Sequence, residues 1–249
     1  DRGLVGSEMC IRDSFYRGFN NLRYSPLSRE AFGVAVFMAF AGFHLLAVLP
    51  ANTFLMGLLS SVMGSDLAVW QSPVRDVLST TTGVLAVMGA LTGLFYMHKC
   101  YRIPARPFWN HWQTATSFVG NALSLGGLVA MAAASIAVAF ASGDGTSLLQ
   151  PLSTFGWIVT LGLLLELVGL YFQAKANTGA KHEGAVSHYV QTTTYGKTYI
   201  ARNALLALAF GVALMASLAA SVDGFASTAL LVVAWCVVAV LALLSLIHI

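Results

Sequence analysis

Charge is what this sequence has least of. Only 9% of its 249 residues are Asp, Glu, Lys or Arg, against about a quarter in a soluble domain, which needs them to cover a solvated surface. That shortage excludes a water-soluble globular fold. Cysteine is scarce as well. Cys10, Cys100 and Cys236 form no CxxC pair, so neither a disulfide framework nor a cysteine-built metal site is expected. No HExxH, GxGxxG, P-loop or GxSxG pattern occurs, which leaves autonomous hydrolysis and phosphoryl transfer without support. Strict polar–apolar alternation is missing too, which argues against the strands of a membrane barrel.

What the chain has instead is apolar length. Hydrophobic residues make up 57% of it, and its mean hydropathy is +0.76. The apolar runs are about 17 to 25 residues long, the length a helix needs to cross the hydrocarbon layer. Lipid offers no partner for backbone N–H and C=O groups, so a spanning segment must satisfy them within itself. The fold expected is all-α, a polytopic transmembrane helix bundle. Its spans are read at about 31–49 (ending at Pro50, with a further apolar piece at 53–63), 78–98, 115–141, 152–173, 203–222 and 226–243. Ser79-Thr80-Thr81-Thr82 is expected to open the second. Gly126-Gly127, Gly162, Gly169 and many alanines suit close helix contact in lipid.

The two ends read differently. Glu8–Ser14 and Leu244–Ile249 resemble the translation of a sequencing adapter and of its reverse complement. Residues 1–14 and 244–249 are therefore expected to be non-native, with 15–243 forming one membrane domain. Setting aside Arg2 and Arg12 with Asp1, Glu8 and Asp13 leaves 11 basic and 7 acidic residues. Six spans put Arg17, Arg23, Arg29, Lys99, Arg102, Arg106, Lys175, Lys181, Lys197 and Arg202 on one side, and leave only Arg75 on the other. The positive-inside rule makes that side cytoplasmic. A docking surface for an acidic soluble partner is a compatible second reading.

Residues 15–30 are the most informative segment, because they are basic, aromatic and polar and lead straight into a membrane helix. Ser28 is placed to cap the helix start, with Glu30 in the first turn, where the helix dipole favours an anion. The functional reading of Glu30 is a carboxylate at the hydrocarbon edge that takes a proton from an amphipathic ligand such as a quinol.

The string Arg17…Asn21-Leu22-Arg23…Ser25…Leu27-Ser28-Arg29-Glu30 resembles the segment between the second and third helices of the dimethyl sulfoxide reductase membrane anchor family. Pro26 stands where that family usually has tryptophan. Helix spacing, the Tyr101–Trp112 connection and the basic connection 173–202 agree as well. The resemblance implies an eight-helix anchor of the bacterial cytoplasmic membrane, of which about six helices are present here. It also implies a non-autonomous subunit that binds and oxidises menaquinol or another quinol and carries no haem or metal. Its partners would be an iron–sulfur electron-transfer subunit and a molybdopterin catalytic subunit, with membrane lipid around it and no nucleic acid. Glu30 would match the quinol-site glutamate, and Arg17, Arg23 and Arg29 would lie beside the iron–sulfur subunit; together with Ser28 these arginines are the segment's candidate quinol-binding residues. In some members the catalytic subunits dock on the periplasmic side, whereas the charge bias here points to the cytoplasm.

Further candidates lie outside that segment. His44 and Glu166 fall inside spans, where ionisable groups are costly and are functional hypotheses by default. His44 reads as a quinone-site or proton-relay residue, or as an interhelical hydrogen bond; Glu166 as functional, or as a polar contact. A bis-histidine haem would need His44 and His98, yet His44 is about 13 residues from the basic face, near 20 Å. Trp109 and Trp112 read as an interfacial belt, or with His111 as the lining of a quinol entrance. His182, Glu183 and His188 are too loosely spaced for a metal site. The rival readings are a small-solute or ion transporter and a di-haem cytochrome b. The spans show neither paired Gly/Pro interruptions nor a ring of charged pore residues.

Overall fold

A computed structural model describes residues 22–48, 73–102, 104, 108–142, 148–178, 183–222 and 227–247. Every regular element among them is helical: α1 Pro26–Val48, α2 Pro73–Tyr101, α3 Gln113–Ser142, α4 Leu149–Asn177, α5 Glu183–Thr193, α6 Gly196–Ser221 and α7 Thr228–Ile247. All but α5 are long and apolar enough to cross a membrane. Large apolar side chains face outward along them, among them Val129 at 70% and Leu45 at 67% exposure. Water would not tolerate so continuous an apolar surface, and lipid requires it. The chain is a multi-pass helical membrane protein.

The chain divides into two compact units, residues 1–100 and 101–249. In the first, α1 and α2 run antiparallel with their backbones in contact. A Cβ on Gly33 would fall 2.6 Å from the Gly93 nitrogen, and one on Gly89 would fall 2.6 Å from the Phe37 nitrogen. These contacts fix the register: Gly33 lies level with Gly93, Phe37 with Gly89, and His44 with Gly83.

Two helix starts differ from the sequence reading. Ser25, not Ser28, caps α1: its hydroxyl accepts the Ser28 N–H at 3.3 Å and its carbonyl accepts the Arg29 N–H at 3.3 Å. Pro26, with its φ already helical and no N–H to satisfy, opens the helix. Glu30 consequently sits one turn further in than expected, and the first turn holds no acid. Likewise α2 begins at Pro73, and the Ser79–Thr82 run lies inside it. Thr80, Thr81 and Thr82 donate to the carbonyls of Asp76, Val77 and Leu78 at 2.9, 2.7 and 2.7 Å. Such back-bonding satisfies each hydroxyl within its own helix, so the run needs no solvent. The apolar piece at 53–63 and the ends 1–14 and 248–249 lie outside the described residues.

In the second unit α4 touches all four other helices. Against α3 the crossing is again glycine on glycine: a Cβ on Gly162 would fall 2.6 Å from the Ser124 nitrogen and 2.7 Å from the Gly120 oxygen. Val159 and Leu163 of α4, Leu206, Ala209 and Ala213 of α6, and Trp235 and Val238 of α7 form the core. One polar contact is sealed inside it. Thr160 donates to the Gly156 carbonyl at 2.9 Å and lies 3.0 Å from the Ser217 hydroxyl. The short α5 was not foreseen. It lies within the connection between α4 and α6, where the sequence shows only a basic loop.

The glycine contacts make a direct prediction. Gly162→Ala places a methyl group against backbone that cannot yield and should cost about 1–3 kcal/mol, the usual penalty of overpacking. Gly126→Ala, where a Cβ meets nothing within 4 Å, should be neutral or slightly stabilising, as expected from helix propensity. Thermal melts of the two variants in the same detergent check this, and equal melting points would contradict it.

Candidate functional site

At the N-terminal end of α1 the structure gathers Ser28, Arg29 and Glu30. Arg29 is a clamp. Its Nε donates to the Leu22 carbonyl at 2.6 Å, one Nη donates to the Arg23 carbonyl, and the other donates to the Tyr96 hydroxyl at 3.4 Å. The guanidinium also stands over the Tyr96 ring, 5.3 Å from its centre. One side chain thus folds the entering segment back over the helix start and ties it to α2. Ser28 is buried. Arg23 is exposed and lies against the Tyr24 ring at 5.5 Å.

Glu30 is half-buried. Its carboxylate lies beside the thiol of Cys100, which belongs to the last turn of α2, and acts on it electrostatically. Cys100 is a free thiol. Neither Tyr96 nor Cys100 stands out in the sequence as a site residue. The signal that could have found them was the antiparallel glycine register, which brings the end of α2 to the start of α1. Arg17 lies outside the described residues.

His44 stands at the other end of α1, 14 positions beyond Glu30 and about 21 Å away along the axis. Its Nδ1 is 2.9 Å from the Ser79 carbonyl. That acceptor requires the proton on Nδ1, which leaves Nε2 as an acceptor. The imidazole packs on Gly83. This is the interhelical hydrogen bond that the sequence allowed. His98 lies 15 residues along α2 from Gly83, about 22 Å. The two histidines are too far apart to share one iron.

Trp109 and His111 belong to the second unit. The Trp109 ring lies 5.5 Å from that of Tyr101, and Trp112 touches both His111 and Phe172. His111 caps α3: its Nδ1 accepts the Gln113 N–H at 3.1 Å, and its carbonyl accepts the Thr114 N–H at 3.1 Å. Burial pushes the His111 pKa below its ordinary value, and the neighbouring Arg102 charge pushes it the same way. Deeper in this unit, the Cβ of Glu166 abuts Gly120 of α3, and its charge interacts with that of Arg202 on α6. Among the described residues no three His, Cys, Asp or Glu side chains come together in a metal-holding group.

No protein-family model matches the chain, and no curated protein or solved structure matches it.

The His111 arrangement can be checked by pH. A proton on Nδ1 removes the cap, so the neutral ring is the folded form. A depressed folded pKa means that the unfolded chain binds the proton more readily. Stability from this group is therefore complete above its unfolded value of about 6.5 and is lost as pH falls through the lower folded value. NMR titration of ¹³C-labelled histidine, assigned with His111→Gln, should give His111 a pKa below that ordinary value. Arg102→Gln should recover only part of the shift, because burial is the larger cause. Full recovery would contradict this order of causes.

Proposed function

We propose that the chain is the membrane anchor subunit of a respiratory complex, and that it binds and oxidises a quinol at the N-terminal end of α1. The observation that carries this reading is Glu30. Among the described residues of the first unit, it is the one carboxylate at the basic end of the helix pair, half-buried and held against Cys100. Asp76, the other acid described there, sits near the start of α2 and pairs with Arg75 at 2.8 Å.

Oxidation of a quinol breaks two O–H bonds, releases two protons and sends two electrons onward. The chain needs to supply only position and a proton acceptor, since the quinol itself carries the redox chemistry. At the membrane edge the isoprenoid tail stays in hydrocarbon while the hydroxyl groups reach the polar end of the bundle. Glu30 takes one proton and passes it to water. The Arg29 clamp holds segment 22–25 as the rim of the site. The electrons go to an iron–sulfur subunit and from there to a molybdopterin catalytic subunit, partners that the resemblance of residues 17–30 suggests. Arg23 and the other exposed cations of this end supply a surface for such a partner.

The test is Glu30→Gln in the assembled complex. The amide keeps the shape of the carboxylate but cannot take up the proton. Quinol-dependent turnover should fall by about 100-fold or more, the usual weight of a positioned base. Binding of a short-tailed quinol, measured by calorimetry, should weaken far less. Unchanged turnover would remove Glu30 from the mechanism, and a purified parent chain that binds no quinol would remove the function.

A further inference from the structure

A second site lies in the other unit, at the basic end of α4. Residues 173–202 carry Lys175, Lys181, Lys197 and Arg202 against one acid, Glu183. Within this stretch α5 has 11 residues, too few to cross hydrocarbon. Val186, Tyr189 and Val190, at i, i+3 and i+4, are all exposed along it. That stripe is the mark of a helix lying in the plane of the membrane surface.

Between α5 and the end of α4 runs a groove of about 580 Å³, lined chiefly by Asn177, Thr178, Ala185, His188, Tyr189 and Thr192. This volume lies within the range of small-molecule sites. The two threonine hydroxyls donate to their own helices, Thr178 to Ala174 at 2.7 Å and Thr192 to His188 at 3.0 Å. Asn177 gives one amide proton to the Gln173 carbonyl at 2.8 Å, which leaves it a second. The His188 ring stands edge-on to Tyr199 at 5.9 Å, and the Arg202 guanidinium lies over Tyr199 at 5.6 Å. A half-buried cation thus shares the Tyr199 ring with His188 of the groove lining. Glu166 offsets part of the Arg202 charge, while Lys175, two residues before Asn177, and Lys197, five after Thr192, are exposed and make this end of the unit basic.

We propose that this groove binds the phosphodiester head group of an anionic phospholipid. His188 and Asn177 are its donors, and Lys175, Lys197 and Arg202 supply the counter-charge. The position favours a lipid over a soluble anion. The groove lies at the end of a span, where head groups are found, and the apolar stripe of α5, whose Val186 and Tyr189 also line the groove, is there to meet the acyl chains. Basic pockets between helices on the positive side of a membrane are suited to such lipids. A quinol head is neutral and would leave those cations unused, so the site is independent of the one at Glu30.

Native mass spectrometry of the purified full chain, released from equimolar phosphatidylglycerol and phosphatidylcholine, tests this. The parent should retain phosphatidylglycerol in preference. His188→Ala, which removes a donor, and Ala185→Phe, which fills the groove, should each lower that retention about tenfold. Lys99→Gln removes one cation from the other unit and should change retention by less than about twofold. Equal retention of the two lipids by the parent, or an equal loss in the Lys99 variant, would overturn the proposal. So would displacement of the lipid by equimolar glycerol phosphate, which would mark the site as one for a free anion. Melting curves show whether each variant is folded. If His188→Ala is not, Ala185→Phe decides, because it leaves every polar group of the groove in place.

Discussion

Helices already in lipid gain nothing by leaving water, so contact between them has to hold the bundle together. In this chain that contact is backbone against backbone. Gly33 meets Gly93, Gly89 meets Phe37, and Gly120 meets Gly162, at distances where no side chain fits. Dispersion between so many close atoms is the attraction, and the same closeness fixes how far each helix can slide. Register follows from glycine. With α1 and α2 locked at Gly33 and Gly93, Glu30 must lie near the last turns of α2, and His44 must lie near Ser79. No residue with chemistry to offer chooses its own neighbours here; the glycines choose them.

The second constraint is the cost of an unsatisfied polar group in hydrocarbon. The bundle meets it locally at most positions, Ser135 and Trp235 being exceptions among the described residues. The hydroxyls of Thr80, Thr81, Thr82 and Thr92 return to carbonyls of their own helix. His44 is occupied by a carbonyl of α2, and Thr160 by Gly156 and Ser217. Arg29 spends its donors on two carbonyls and a phenol. Each of these groups works for the structure. Glu30 differs in that the group described beside it is a thiol, a weak hydrogen-bonding group, and this leaves the carboxylate with acceptor capacity to spare.

The spans could be read from the sequence because an apolar run of such length finds a stable place only across a bilayer. Their ends could not. α4 extends to Asn177 and α2 reaches back to Pro73, since a helix continues through the head-group layer after its residues turn polar. Capping at Ser25 was hidden because Ser25 and Ser28 are both good cap residues, and only the proline between them favours the earlier start. The short α5 carries a weak apolar stripe among Thr, Gln and His, too brief to stand out from a loop. The candidate site was half legible. Glu30 and Arg29 are conspicuous as charges at the mouth of a span, but Tyr96 and Cys100 emerge only once two helices are paired. The pairing was latent in the four-residue spacing of Gly89 and Gly93, which marks one face of α2 as the side of close approach.

Depth decides between the two titratable groups of α1. A base that serves a membrane-soluble donor must touch hydrocarbon, where the donor arrives, and water, where the proton leaves. His44 lies about 21 Å further along the helix than Glu30, and its Nδ1 is held by the Ser79 carbonyl. The ring also packs on Gly83, so the imidazole is committed to the helix pair. Glu30 lies half-buried at the mouth of the span, within reach of both phases. Position along the helix therefore favours the carboxylate as the base of the proposed reaction over the imidazole along the span.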